Sequence, residues 1–557
     1  MHPSSTRRKK EELNDRFTTA LAGVAGGAVA FGAAELVHGL YPLVPSLPVA
    51  VSQRVIELTP GSLATEAIGT VGKAATPILV TMVVAVTLAL AGFLAVLARR
   101  SALLALAGVG LLGVIGLIAA FSEPSISVPV TVVAVAGAMI AGTTVAGMLL
   151  DRAESLPENQ GDASRDEPEP AGGQMEGVRR REAGAGGEVS VGRRGFLMLS
   201  GGAIAGGLGA LGVGRLLSGG GSGSAASGSA SLSGGSTTGV VSVDRLPPPP
   251  AGASIEVPGM PKLITPADDF YLIDTAISSP RIDRDRWTLN ISGDQVANPI
   301  EITYDELLSL PQLEADITMS CVSNEVGGGL LSHGRWTGVL LSDVLEEAGV
   351  RQGDIGRASE QLVGRAVDGW EAGFKTDIAF DGREAMVVFG LNGDELPAKH
   401  GYPVRLVVPG LYGYVSATKW LSEIELRSWD YDVYWIKRGW SKEGPVKTQS
   451  RIDTISDGDE REAGTLPIGG VAWAPTRGIQ RVEVSTDGGE SWNDARLATQ
   501  LDVDAWRQYV YEWEAEPGEH TIKVRATDGE GETQTEDRAE PIPSGATGYH
   551  TVDVTVA

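Results

Sequence analysis

The chain has one cysteine among 557 residues and only six histidines. One cysteine excludes an intramolecular disulfide, a four-cysteine zinc site, a self-contained iron–sulfur cluster and a CxxCH haem attachment. Nucleic acid is excluded as a partner on charge. The net charge is -25, with 45 Lys and Arg against 70 Asp and Glu, whereas phosphate backbones need clustered cations. Metal-hydrolase, P-loop and nucleophile-elbow motifs are missing. GxGxxG occurs only inside a Gly-rich apolar run, without the strand–helix context of a dinucleotide site. No internal repeat of a solenoid or propeller type is present.

Long uncharged apolar runs, by contrast, are plentiful. Residues before about 220 are dominated by Ala, Gly, Leu and Val, and the rest is rich in Asp, Glu, Trp and Pro. A chain of this length exceeds one core, and the step in composition divides a membrane part from a soluble part. Four runs lie at roughly 17–40, 75–98, 101–121 and 126–150, with a fifth from Gly195 to Leu217. Each is near the ~20 residues that cross a bilayer as a helix. Buried soluble helices are the alternative, which repeated uncharged length disfavours. The expectation is a four-helix transmembrane segment over 1–150, then a signal anchor over 193–217. With five spans, Arg7 to Lys10, Arg99–Arg100 and Arg179–Arg181 with Arg193–Arg194 share one side. The positive-inside rule then places the N-terminus in the cytoplasm and everything after 217 outside the cytoplasmic (plasma) membrane.

Glu35 and His38 lie one turn apart in the first span. Intramembrane ionisable groups are functional candidates, although this pair is near enough to the outer end to snorkel to the interface. His38 is the one histidine in a span, which does not support bis-His haem. Residues 151–192 are acidic and Gly-rich and read as a disordered cytoplasmic linker. Gly192-Arg-Arg-Gly-Phe-Leu197 looks like a twin-arginine export signal, and Gly202, Gly206 and Gly209 also permit close helix packing. Residues 218–262 are a Gly/Ser-rich tether stiffened at its end by Pro247–Pro250.

From about 263 the pattern becomes short segments with frequent turns. Trp287–Ile291 alternates as a strand, Thr303–Leu310 reads as a short capped helix, Val339–Ala348 as an amphipathic helix, and Val404–Val408 as a buried strand. This mixture predicts an α+β domain over 263–445. Alternating strands follow at Val471–Trp473, Ile479–Val484, Tyr509–Trp513, His520–Val524 and Val552–Val556, with hairpin signals at Asp487-Gly-Gly489 and Asp528-Gly529. They predict an all-β, Ig-like sandwich over 446–557. The fold class is therefore multidomain: helical transmembrane segment, α+β domain, β-sandwich.

The informative stretch is Thr318 to Gly327, around Cys321. A lone cysteine is usually a small buried apolar residue. A soft thiolate can instead hold a metal while leaving positions for exchangeable oxygens. The neighbouring motifs bear on the choice. Asp268–Tyr271, Cys321-Val-Ser-Asn324, Gly334–Leu341, Asn392–Pro397, His400–Gly410 and Gly413–Leu421 stand in an order that resembles the sulfite oxidase family of molybdopterin enzymes. Gly470–Trp473 and Val482–Gly489 resemble that family's Ig-like dimerisation domain. The resemblance covers nearly all of 263–557. It implies Mo-molybdopterin as cofactor and Cys321 as the metal ligand. It also implies contacts to the pterin or its phosphate from Asp268, Tyr271, Asp368, His400, Arg405, Thr418 and Lys419. A phosphate in a cleft suits Arg and Lys. Without the resemblance, His400 reads as a turn histidine, and Arg405 and Lys419 as solubilising residues. Arg365, Trp370 and Trp440 are further candidates for the pocket.

The departures bear on the substrate. Where sulfite-oxidising members of the family carry arginines for their dianion, this chain has Glu325 and Val326 after the cysteine, Ile273-Asp274-Thr275 near the domain start, and Gly413–Thr418 before Lys419. A carboxylate and aromatics fail to neutralise sulfite, so Glu325 is expected to line the pocket and sulfite to be a poor substrate. A sulfoxide or another small neutral or cationic oxide fits better. The family's fused haem domain is absent, which implies a separate cytochrome or quinol-linked membrane protein as electron partner, and a homodimer through the C-terminal domain. Two other readings stand beside the enzyme: a non-catalytic binding module displayed by the same anchor, and a transporter regulated by the outer domain.

Overall fold

The computed structural model describes residues 4–41, 43–59, 75–123, 126–154, 193–220 and 243–557. The linker expected from 151 starts later, because the helix before it runs to Glu154; residues 155–192 and much of the tether over 218–262 lie outside the described residues. The chain divides into two compact units, Met1–Leu58 with Ala67–Ala225, and Thr59–Glu66 with Ala226–Ala557.

The first unit contains α1 (Ser4–Leu40), α2 (Leu47–Leu58), α3 (Ala75–Ala98), α4 (Ala102–Phe121), α5 (Val128–Glu154) and α6 (Arg193–Gly220). All but α2 are long and apolar enough to cross a membrane, matching the five apolar runs. The short α2 was not anticipated; it carries an Arg54–Glu57 ion pair at 2.5 Å and lacks the uncharged length of a span. Helices α3, α5 and α6 close on α1 through glycine. Gly23 meets α3, Gly26 meets Gly142 of α5, and Gly32 meets Gly207 of α6. A Cβ on Gly26 would stand 2.4 Å from the carbonyl oxygen of Gly142, so only glycine permits these crossings. Glu35 is fully buried and accepts a hydrogen bond from the Ser46 hydroxyl at 2.8 Å, while His38 Nδ1 meets the Val44 carbonyl at 2.6 Å. Both side chains tie the end of α1 to the segment leading into α2.

The second unit begins with an α+β domain. Its strands are β1 (Thr288–Gly293), β2 (Ile300–Thr303), β3 (Gln312–Ser320), β4 (Leu331–Leu340), β5 (Gln361–Ala366), β6 (Glu371–Lys375), β7 (Met386–Leu391), β8 (Asp394–Glu395), β9 (Arg405–Val407) and β10 (Leu421–Arg427). Its helices are α7 (Tyr304–Ser309), α8 (Leu341–Glu347) and α9 (Gly413–Ser416). One sheet runs β2-β1-β10-β5-β6 and the other β3-β4-β7-β8, with β9 beside β7. Leu289, Leu362 and Ile424 of the first sheet and Val387 and Leu406 of the second share a core with Val344 and Leu345 of α8. Thr303 caps α7 as its sequence predicts. Its Oγ1 accepts from the Glu306 amide, and the Glu306 carboxylate accepts from the Thr303 amide at 2.8 Å. The helix expected over Val339–Ala348 begins only at Leu341. Val339 still belongs to β4, opposite Gln312 and Val387; the apolar spacing of the helix simply continues that of the buried strand end.

The remaining strands are β11 (Gln449–Ile452), β12 (Asp459–Arg461), β13 (Gly464–Trp473), β14 (Ile479–Ser485), β15 (Asn493–Asp494), β16 (Arg496–Leu497), β17 (Arg507–Ala515), β18 (Gly518–Asp528) and β19 (His550–Val556). They form sheets β11-β13-β17-β16 and β12-β19-β18-β14-β15. Ile468, Tyr509 and Trp513 of one face Val482, Val524 and Val554 of the other across a common core, which makes a β-sandwich. Gly488 and Gly489, at φ of 75° and 102°, make the β14–β15 turn in a backbone region that other residues rarely enter.

Candidate active site

Cys321 follows the last residue of β3, and residues 322–330 return the chain to β4. This loop is held by its own polar groups. The Asn324 amide donates to the Cys321 carbonyl at 3.0 Å, the Leu330 amide donates to Asn324 Oδ1 at 2.7 Å, and the Cys321 amide donates to the Leu330 carbonyl at 3.0 Å. The Ser323 amide points at Cys321 Sγ, 3.4 Å away. Burial pushes the Cys321 thiol up from its ordinary range, and the Ser323 hydrogen bond opposes that.

The thiol faces a cleft of about 130 Å³. Five of the residues selected from the sequence line it: Cys321, Tyr271, Asp368, Arg405 and Lys419, with Trp370 and Trp440. His400 and Thr418 stand behind it as supports. The His400 carbonyl accepts from Arg405 Nη1 at 3.0 Å, and its Nε2 meets the Ala267 carbonyl at 2.9 Å. Thr418 donates its hydroxyl to the Gly364 carbonyl at 3.2 Å and accepts the Leu406 amide on its own carbonyl. Both therefore fix the strand that presents Arg405.

Three selected residues are placed elsewhere. The Asp268 side chain is 99% exposed and pairs with Lys399 at 3.2 Å. Glu325 is exposed at a turn, where its carbonyl accepts the Gly328 amide, and is not part of the cleft lining. Arg365 is engaged by Glu371 and by Glu425, the latter at 2.7 Å. Strand alternation accounts for this: its neighbour Ala366 points into the cleft, so Arg365 points to the other face.

Arg405 is buried, 3% exposed, and among the described residues no carboxylate lies within ion-pair distance. Its hydrogen bonds go to the carbonyls of His400 and Leu406, and it lies 5.3 Å over the Trp336 ring. Burial pulls its pKa down to about 10, opposed by Tyr271 and Asp274. Lys419, in contrast, pairs with Asp274 at 2.6 Å, and burial pulls it down to about 8. Burial also pushes Asp274 and Asp368 up. Tyr271 is pushed well up by burial and then by the neighbouring Cys321. Trp370 Nε1 is buried without a partner among the described residues. The cleft thus offers one soft thiol, one cation free of a counter-ion and an unused indole donor. The remaining walls are largely aromatic: Tyr414, Trp420, Trp435 and Trp440. No three His, Cys, Asp or Glu side chains are grouped to hold a metal among the described residues, so a metal on Cys321 would need donors other than such a side-chain cluster. That donor set fits a metal carried by an anionic, planar cofactor.

Sequence reasoning did not assign roles to Asp274, Trp336, Trp420 or Trp435. Asp274 meets Lys419 from 145 positions away, and no local spacing marks such a pair. The Trp-rich stretch around 429–440 was the one available signal for the aromatic wall.

Buried histidines give a pH dependence. Burial pulls His333, His400 and His550 down to about 4. Their charging is disfavoured in the folded state, so stability is full above about 6.5 and is lost as pH falls toward 4. Asp504 and Glu384, pushed up to about 6, act in the opposite sense below that pH. Asp274 and Asp368, also pushed up by burial, act in the same sense as these two acids, so the balance rests on the larger size of the three histidine shifts. The expected result is a melting temperature that falls between pH 6.5 and 4, checked by thermal denaturation; a rise would show that the acids dominate.

Residues 276–435 match the family model described as an oxidoreductase molybdopterin binding domain, and 446–556 match the Mo-co oxidoreductase dimerisation domain. Mitochondrial sulfite oxidase of Rattus norvegicus is 29% identical over 291 residues, covering 45% of this chain and 53% of that protein. The NADH nitrate reductase of Spinacia oleracea is 25% identical over 272 residues, covering 39% and 29%. The sulfane dehydrogenase SoxCD of Paracoccus pantotrophus aligns with a TM-score of 0.46 and 23% identity over 53% of this chain and 83% of that one. The chain spans about half the length of the mammalian sulfite oxidases it matches. The two family models follow one another across the α+β domain and the sandwich, with Cys321 at the cleft between the motifs that resemble the family's own, and the chain belongs to the sulfite oxidase family of molybdopterin-dependent oxidoreductases.

Proposed function

We propose that this protein is a membrane-anchored, externally facing oxidoreductase that holds Mo-molybdopterin at Cys321 and transfers an oxygen atom, with two electrons, to or from a neutral or cationic oxide such as a sulfoxide. The observation that carries this reading is the cleft itself, where one thiol faces aromatic walls and a single unpaired cation. When bound, the cofactor supplies a metal that cycles between oxidation states two electrons apart. Arg405 and Lys419 would hold its phosphate, Asp368 and the free indole donor of Trp370 would bond its ring, and His400 and Thr418 keep Arg405 in place. Tyr271 retains its phenolic proton at Oη beside Cys321, ready to donate a hydrogen bond to the substrate oxygen. Asp268 and Glu325 then serve at most through the loops that carry them.

Sulfite is disfavoured because, among the described residues, Arg405 and Lys419 are the only cations lining the cleft, and both serve the cofactor. The aromatic side suits an apolar oxide: Trp440 lies 5.7 Å from Tyr414 and 6.2 Å from Trp435. Trp440→Ala is expected to weaken binding of methyl phenyl sulfoxide by about tenfold, the scale of ~1.5 kcal/mol for a lost aromatic contact. Sulfite should bind weakly before and after. Equilibrium titration checks both.

The five apolar helices act as the membrane anchor, with the N-terminus cytoplasmic and residues after 217 outside. The twin arginine at Arg193–Arg194 serves export of the folded domain. With one Cys and six His in the chain, electrons pass to or from a separate cytochrome or quinol-linked membrane protein. The sandwich is Ig-like and pairs two copies into a homodimer. Metal and pterin analysis of the detergent-purified full chain, made in a cell that synthesises molybdopterin, tests the function. Near-stoichiometric molybdenum and pterin are expected. Folded protein with neither would sink the enzyme and favour a membrane-displayed binding module.

A further inference from the structure

The loop that carries Cys321 is held from outside its own domain. Arg451 of β11 donates from Nη1 to the Gly328 carbonyl at 2.8 Å. The guanidinium is itself fixed, with Nε on Asp453 at 2.7 Å, and the Arg451 carbonyl accepts the hydroxyl of fully buried Tyr509 at 2.9 Å. One residue earlier, Gly327 lies against the ring of His550 from β19. A Cβ there would come within 2.3 Å of the ring atoms. The ring is locked in turn, because His550 Nδ1 accepts the Ile452 amide at 3.0 Å. On the other side of the cysteine, the Thr318 amide donates to the Asp504 carbonyl at 2.9 Å, and Thr318 Oγ1 accepts the Trp506 amide at 2.7 Å. Cys321 therefore sits between two anchor points, and the sandwich supplies both.

We propose that Arg451 and His550 are positioning residues that set the Cys321 thiol for the metal, so that the sandwich is a structural arm of the site as well as a dimerisation module. The loop's internal hydrogen bonds fix its shape, whereas Arg451 and His550 fix where its tip stands. Arg451 does not act on the thiol by charge; the influences on the thiol are burial and the Ser323 hydrogen bonds. Its effect is mechanical, through the Gly328 carbonyl. The proposal rests on reading Cys321 as the metal ligand, and its first measurement does not depend on that reading.

Cys321 is the sole cysteine, so its alkylation by iodoacetamide in the cofactor-free full chain reports the loop alone. Arg451→Met and His550→Gln are each expected to speed alkylation by about tenfold, the factor that ~1.4 kcal/mol makes in an equilibrium between held and open loop. Arg451→Lys should recover part of the protection. The melting temperature should stay near that of the parent. In cofactor-loaded protein, the same variants should shift the thiolate-to-molybdenum absorption band. An unchanged alkylation rate in a variant that folds overturns the proposal. So does loss of fold in both variants, which would assign the two residues to the sandwich core. Faster alkylation without any molybdenum band in the parent would uphold the clamp and count against the metal reading instead.

Discussion

Cys321→Ser is expected to leave the protein folded and to lower its redox turnover by on the order of a thousandfold or more, a barrier change of about 4 kcal/mol. The two halves of this result have separate causes. The thiol's hydrogen bonds come from Ser323, whose amide lies 3.4 Å from Sγ, and a serine hydroxyl can also accept them. The substitution changes little volume at a site that opens onto a cleft, so the expected stability change is within about 1 kcal/mol. The chemistry does not survive as well. A hydroxyl stays protonated at neutral pH and is a poor ligand where a soft, anionic sulfur is required. Turnover with an artificial electron donor, pterin content and the visible spectrum, taken together, separate loss of the ligand from loss of the cofactor. A variant with near-normal turnover would remove Cys321 from the mechanism.

Arg405→Met separates stability from function in the opposite way. Arg405 is a buried cation without a carboxylate partner among the described residues, and burial already pulls its pKa down to about 10. Keeping such a charge out of water is costly, and replacing buried charges by apolar isosteres is often neutral or stabilising by ~1–4 kcal/mol. Against this stand the carbonyls of His400 and Leu406, which lose a donor at roughly 1–3 kcal/mol if left unpaired. The cofactor-free variant should therefore melt at or above the parent temperature. Its cofactor retention should fall by about a hundredfold, since a charge-assisted bond to phosphate contributes roughly 2–3 kcal/mol and Lys419 is already paired with Asp274. Calorimetry of cofactor-free protein and pterin loss on dilution measure the two effects. A markedly lower melting temperature would mean that Arg405 is retained for the fold rather than for an anion.

The features that proved legible are those set by local physics. A bilayer demands about 20 uncharged residues per helix, and the five runs reappear as five helices. Thr303 and Glu306 cap their helix within four residues of chain, and the alternation at Val552–Val556 needs only the neighbouring residue to show which face is buried. The boundary at Val339 is hidden because the buried end of β4, Val339–Leu340, is apolar at both positions and runs into the apolar spacing of the helix behind it. The candidate site divides in the same manner. Arg405 and Lys419 stand in motifs whose strand and turn dictate their direction. Asp268, Glu325 and Arg365 stand equally close in sequence to such motifs, yet a turn or one step of strand alternation sends them elsewhere. Asp274, Arg451 and His550 carry no local signal at all, since their partners are distant in the chain.

That distance has a consequence for the order of biosynthesis. β19, which brings His550 to Gly327, and β11, which brings Arg451 to Gly328, are both translated after the cysteine loop they touch. While the ribosome is still making the sandwich, the loop has its internal hydrogen bonds and nothing against its tip. A premature stop between Trp440 and Arg451 would leave the cysteine and every cofactor-contacting side chain of the first domain in the product, yet with the loop tip unsupported. Such truncated chains would be defective in metal insertion despite an intact binding sequence.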